Sequence, residues 1–272
     1  MAEKRKSKKL INDPENCVDE NLEGFTLVNT GIKKVKGHRI LVREDYEDLG
    51  KQGKVCVLSG GGSGHEPNEA GFVGRGMLTC CVMGSIFAAP PSQELLLAIR
   101  LVTRHNPAGC LILIANYTGD RLNFGVAVEK AKQEGIRVAC VTVGEDCAMV
   151  PSSKSAGRRG LTGFVLAYKL AGALSEEGKS LDEIVDTLNR IIKNMGSLGV
   201  CLTPCTVPGT GATFYIGEDE MELGLGVHGE PGVKSLKMTT AKETIQIMVD
   251  HMTSLENKNR LSLNKGICIA GP

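Results

Sequence analysis

No apolar run in this chain of 272 residues approaches the ~18 that a membrane-spanning helix needs, so the sequence reads as that of a soluble protein. An excess of charge of one sign is missing too. The chain has 32 basic and 31 acidic residues, a formal net charge of +1, which excludes a general electrostatic affinity for nucleic acid or for membrane surfaces. Cysteine pairs at metal-ligand spacing are absent: Cys80 and Cys81 are adjacent, Cys201 and Cys205 flank a proline, and no histidine-rich stretch accompanies them. No metal site is therefore assigned. The 10 cysteines do not read as a disulfide framework either. Cys56, Cys110, Cys140 and Cys268 lie among Val, Leu, Ile and Ala, as small buried thiols do in a reducing compartment such as the cytoplasm. The local basic excess, Lys4 to Lys9, reads as a flexible tail over residues 1–9, because no apolar signal segment follows it.

Against these absences stands Gly60-Gly61-Gly62-Ser63-Gly64-His65-Glu66-Pro67, directly after the apolar run Val55 to Leu58. A β-branched run ending in consecutive glycines predicts a buried strand whose exit loop brings bare backbone against a small polar ligand. His65 is the first titratable ring after the glycines, and Glu66-Pro67 is expected to open a short helix. No lysine follows at phosphate-loop spacing, and His65 occupies the position where a dinucleotide fingerprint needs glycine. The same glycines also suit a loop that merely turns the chain.

The remainder alternates. Arg39 to Val42, Val55 to Leu58, Met77 to Met83, Cys110 to Ala115 and Arg137 to Val143 are strand candidates, the last two buried. Helices are expected from Ser92, as N-cap, to Asn106, and from about Arg121 to Gln133. This order predicts an α/β fold, a parallel sheet flanked by helices, over residues 10–198. In such sheets ligands bind beyond the carboxyl ends of the strands, where Gly60 to His65 and Asn116 to Asp120 would share one site. A helix opened by Gly157 to Gly160 and another with the capping box Ser180-x-x-Glu183 are expected to cover the sheet. From Gly199 the composition changes, and residues 199–272 read as a second, smaller α/β subdomain. Its strands are Val200 to Leu202 and Thr213 to Ile216, Thr240-x-x-Glu243 caps its helix, and Gly266 to Ala270 begins a last strand, so that it looks truncated.

Of the five histidines, His65 and His228 sit among glycines, where packing would not require a ring. Asp120, after Thr118-Gly119, is equally a helix N-cap or a site carboxylate. Together with Ala156 to Gly160, Pro204 to Gly209, Asn116 to Gly125 and Gly226 to Gly232, the glycine stretch resembles the K domain of the dihydroxyacetone kinases, nearest to the animal triokinase/FMN cyclase form. The resemblance runs from about Lys8 to Met252, with Ser254 to Pro272 diverging.

That resemblance implies a domain that binds dihydroxyacetone or glyceraldehyde, with His228 attacking the carbonyl carbon to hold the triose as a hemiaminal. It implies that Gly62, Ser63, Gly64 and His65 line the substrate, and that Asp120 with His65 orients or deprotonates the hydroxyl to be phosphorylated. ATP and Mg²⁺ are implied as well, on a separate helical L domain supplied in cis or in trans, and so is a homodimer. Ala115 stands where the family carries a substrate-site lysine. Two functions are therefore expected to compete: the substrate-binding part of a kinase, and a non-catalytic triose-binding or regulatory protein that lacks the ATP domain.

Overall fold

Residues 8–148 and 157–262 are described by the structure, a computed structural model. The tip of the basic tail and the strand expected at Gly266 to Ala270 lie outside them. In chain order the first part contains α1 (Cys17–Val28), β1 (Ile32–Lys34), β2 (Ile40–Arg43), α2 (Tyr46–Lys51), β3 (Cys56–Ser63), β4 (Cys80–Ile86), α3 (Ser92–Thr103), β5 (Cys110–Ala115), α4 (Thr118–Gln133), β6 (Val138–Val143), α5 (Gly163–Glu176) and α6 (Leu181–Ile192). Its six strands form one sheet in the order β1-β2-β4-β3-β5-β6. The last four run parallel, while β2 pairs antiparallel with β1 and β4, so the sheet is mixed rather than wholly parallel. Apolar side chains pack both faces. Leu95, Ile99, Phe124 and Val128 from α3 and α4 cover one, and Phe164, Tyr168, Ile184 and Leu188 from α5 and α6 cover the other.

Several boundaries differ from expectation for local reasons. The glycines of β3 belong to the strand itself: a side chain on Gly60 would collide with the Val82 carbonyl of β4, so only bare backbone fits there. Helical structure does not open at Glu66-Pro67 but in the short 3-10 turn Glu69–Phe72, where the Asn68 side chain accepts from Glu69 N–H at 2.9 Å. Ser92 is the first residue of α3, and Pro91 takes the cap position. α5 begins only at Gly163, because residues 158–160 run along the end of β6. There the Glu145 and Asp146 N–H groups each donate to the Arg159 carbonyl at 3.0 Å. Glu145 Oε1 then accepts from the N–H groups of Leu161 and Gly163, both at 2.9 Å, and fixes the start of the helix. β6 is an edge strand with β5 as its one neighbour, which leaves Cys140 exposed rather than buried.

The second part is smaller and forms two further sheets. β7 (Val200–Cys201), β10 (Glu220–Leu223) and β11 (Lys234–Lys237) pair antiparallel in the order β11-β10-β7, and β8 (Thr206–Val207) pairs with β9 (Gly211–Ala212). The strand expected at Thr213 to Ile216 is not formed; the chain there bends away after β9. α7 (Ala241–Thr253) follows β11, and its expected capping box at Thr240 is present, as is that of α6 at Ser180. Among the described residues no helix is long and apolar enough to cross a membrane.

Candidate active site

From β3 the chain crosses to β4 on one side, and the later strand β5 adds on the other. Such a reversal leaves a crevice beyond the carboxyl ends of β3 and β5. The segments leaving these two strands carry the polar groups. After β3, Gly64 turns the chain at φ +102°, and its N–H donates to Glu66 Oε1 at 3.0 Å. His65 comes next, its ring stacked on Phe87 at 4.6 Å between centroids and 19° between planes. Phe87 itself is left-handed, φ 56°, with its N–H donating to the Ser63 carbonyl at 2.8 Å. A side chain on Gly64 would run into the Phe87 ring and one on Gly62 into the backbone of Phe87 and Ala88, so these glycines let the segment that seats His65 pack closely. Ser63 is buried, and its hydroxyl donates to the Gly84 carbonyl at 2.8 Å, tying the ends of β3 and β4 together.

After β5, Tyr117 takes the cap position of α4, and Asp120 lies in the first turn, at the third helical residue rather than at the N-cap. Asp120 is 8% exposed, and its Oδ1 is enclosed with no hydrogen-bond partner. Burial pushes its pKa up to about 6, against the opposing pull of the His228 ring and of its own N–H. A carboxyl raised in this way holds its proton more tightly folded than unfolded. Its contribution to stability is thus present below pH 3.8 and lost as the pH rises through about 6. Asp120→Asn is expected to be more stable than the parent at pH 8, by about 1–2 kcal/mol, with the difference vanishing near pH 4. Denaturant unfolding at the two pH values checks this; an equal difference at both would mean that Asp120 ionises freely.

His228 arrives from the second part, on the loop that joins β10 to β11. That loop is closed by Val233 N–H donating to the Leu223 carbonyl at 2.7 Å and Gly226 N–H donating to the Glu230 carbonyl at 2.8 Å. Arg159 fastens it to the main sheet, Nε donating to Asp146 Oδ2 at 2.6 Å and Nη2 to the Gly224 carbonyl at 2.7 Å. The result brings His228 Nε2 to 3.2 Å from His65 Nε2. Phe87 and Tyr117 meet the His228 ring edge-on at 5.2 and 5.4 Å. Behind the ring, Nδ1 is 3.0 Å from Glu230 Oε1, while Oε2 accepts from His228 N–H at 3.0 Å. Burial disfavours the Glu230 carboxylate, but the bonds from the His228 ring and from backbone N–H groups outweigh it and hold its pKa at about 2. Burial, and after it the neighbouring His228, lower the pKa of His65. Two imidazoles and a carboxyl poised near neutrality thus share an aromatic-walled cleft, an arrangement suited to addition and proton transfer at a small polar molecule.

Sequence reasoning missed Phe87, Arg159 and Glu69 as parts of this neighbourhood, and it placed Tyr117 there only as a member of the Asn116 to Asp120 loop. The Glu69 carboxyl packs behind Gly61, where burial pushes its pKa up to about 7, and accepts from the Tyr168 hydroxyl at 3.4 Å. Nothing in the local sequence marks it. Among the described residues no group of three or more His, Cys, Asp or Glu is placed to hold a metal ion.

The model of the Dak1 domain family matches residues 23–269, so the family pattern continues beyond Ser254, where the resemblance was expected to end. The triokinase/FMN cyclase of Bos taurus is 49% identical over 260 residues, which cover 96% of this chain and 44% of that protein. The chain therefore spans less than half the length of this relative. The crystal structure of the dihydroxyacetone kinase from C. freundii in complex with AMP-PNP and Mg²⁺ superposes with a TM-score of 0.83 at 36% identity, covering 92% of this chain and 46% of that one. The dihydroxyacetone kinase operon co-activator Dha-DhaQ superposes with a TM-score of 0.80 at 32% identity, over 86% of this chain and 70% of that one. Sequence and fold thus agree over nearly the whole chain, which belongs to the Dak1 (DhaK) domain family and is closely related to triokinase/FMN cyclase.

Proposed function

We propose that this chain is the substrate-binding K domain of a dihydroxyacetone kinase, which captures dihydroxyacetone or glyceraldehyde on His228 and presents one of its hydroxyls for phosphorylation. The observation that carries this reading is the 3.2 Å approach of His228 Nε2 to His65 Nε2 across the cleft. The two nitrogens are in hydrogen-bond contact, so a ligand that reaches His228 Nε2 displaces the His65 contact and then meets a nitrogen on either side. In the addition, Nε2 of His228 forms a bond to the carbonyl carbon and the carbonyl π pair moves onto oxygen. That oxygen takes a proton while the ring gives up the one on Nδ1, so the hemiaminal is neutral overall. Glycerol has no carbonyl and is rejected by the same chemistry. Asp120, enclosed and titrating near neutrality, accepts the proton of the hydroxyl to be phosphorylated, and His65 orients that hydroxyl.

ATP and Mg²⁺ supply the phosphoryl group and neutralise its charge in such kinases. By the family resemblance both are assigned to an L domain, in cis or in trans, and no step of the capture runs through them. A second reading, a regulatory protein that binds triose without transferring phosphate, is favoured by Ala115 in place of the family lysine and by the likeness to the Dha-DhaQ co-activator.

Carbon-13 spectra of labelled dihydroxyacetone with the purified protein test the capture, and addition of an L domain with Mg²⁺-ATP tests the transfer. The kinase reading expects the carbonyl carbon to become tetrahedral and triose phosphate to appear. Tetrahedral carbon without transfer supports the regulatory reading, and absence of the adduct overturns both.

A further inference from the structure

We propose that Glu230 is a positioning residue that sets the tautomer of His228, placing the proton on Nδ1 and leaving Nε2 unprotonated as the nucleophilic nitrogen. The inference rests on the proposed capture of a carbonyl but is carried by separate geometry. Glu230 Oε2 accepts from the backbone N–H of His228 at 3.0 Å, a group that can only donate. This contact fixes the carboxylate against the loop, where a side chain on Gly226 would collide with it. The other oxygen then lies 3.0 Å from His228 Nδ1, and an ionised carboxylate can only accept, so Nδ1 carries the proton. A neutral imidazole has one such proton; Nε2 is left with its lone pair. Across the cleft, the 3.2 Å contact then requires His65 Nε2 to be the donor.

The histidine-glutamate pairing is not a generic property of such loops. In His65-Glu66-Pro67 the glutamate sits next to the histidine and turns onto Gly64 N–H at 3.0 Å. The glycine inserted between His228 and Glu230 brings the second carboxylate back to its own ring. The logic is that of the aspartate behind a protease histidine: it holds the ring in one orientation and one tautomer, and it stabilises the cation that forms as the nucleophile reacts.

Glu230→Gln separates this role from bracing of the loop. The amide oxygen of glutamine still accepts from His228 N–H, but its NH₂ then faces Nδ1 as a donor and drives the ring proton to Nε2. Two-bond proton–nitrogen spectra of protein labelled with ¹⁵N-histidine read the tautomer without any ligand. The expected result is Nδ1–H in the parent and in Glu230→Asp, and Nε2–H in Glu230→Gln, where the dihydroxyacetone adduct falls by at least about tenfold. A parent with its proton on Nε2 overturns the inference, as does a folded Glu230→Gln protein that keeps both the Nδ1–H tautomer and the adduct. Should Glu230→Gln fail to fold, the parent and Glu230→Asp spectra decide the assignment. If the tautomers behave as expected and no form binds triose, the positioning role stands and the kinase reading falls.

Discussion

His228→Ala is expected to abolish the covalent capture of dihydroxyacetone while the protein remains folded. The side chain is about one third exposed (31%), it rests on a loop whose closing bonds are between backbone groups, and alanine leaves all of those bonds in place. Its removal should therefore change stability by no more than about 1 kcal/mol, as for substitutions outside a core. Capture, by contrast, depends on one nitrogen lone pair, and its loss is total rather than graded. Carbon-13 spectra of labelled dihydroxyacetone bound to the protein, compared with the parent under identical conditions, read the outcome through the tetrahedral carbon of the adduct. An adduct on a well-folded His228→Ala protein would transfer the nucleophilic role to His65.

Arg159→Met is expected to lower stability by about 3–5 kcal/mol and to weaken capture beyond what that loss explains. Arg159 is paired with Asp146, a residue only 1% exposed, at 2.6 Å, and the same guanidinium holds the Gly224 carbonyl at 2.7 Å. Methionine keeps much of the stem's volume but leaves the Asp146 carboxylate buried without its cation, the situation in which removal of one partner is most costly. It also releases the tie between the His228 loop and the main sheet, so the two imidazoles lose their registration. Replacement of both partners, Arg159→Met with Asp146→Leu, should recover part of the stability but not the capture, because the tie to Gly224 remains broken. Urea unfolding of the three proteins decides between these terms. A loss below about 1 kcal/mol in Arg159→Met would mean that the pair is screened by solvent and does not fasten the loop.

Much of the architecture was legible because it depends on short-range chemistry. Cys110 to Ala115 is apolar throughout and too short for a helix, and it forms β5 with the expected bounds. Ser180 and Thr240 each precede a glutamate at N3, and both form the reciprocal capping bonds, since the partners are fixed by helical geometry alone. The spacing over α6 predicts a buried side of Leu181, Ile184, Val185, Leu188, Ile191 and Ile192; Leu181, Ile184, Leu188 and Ile192 are buried, Val185 is partly so, and Ile191 is exposed. Histidines placed among glycines, and an aspartate with two possible roles, were also visible as residues out of keeping with packing.

The features that stayed hidden depend on neighbours far away in the chain. The glycines after Val57 and Leu58 read as a loop, yet they are strand, because Val82 on β4 approaches too closely for a side chain. Cys140 looks like its buried counterparts until β6 proves to be an edge strand. Asp120 reads in the sequence as either a cap or a site carboxyl; only the fold encloses its Oδ1 without a hydrogen-bond partner and puts Tyr117 at the N-cap instead. The two His-Glu-Pro phrases look alike in one dimension, but one glutamate serves a turn and the other an imidazole. Periodicity, propensity and caps are encoded within a few residues, so the elements and their order follow from the chain itself. The pKa of a carboxyl, the tautomer of a ring and the facing of His65 by His228 arise from desolvation and contact between distant segments, and only packing creates those.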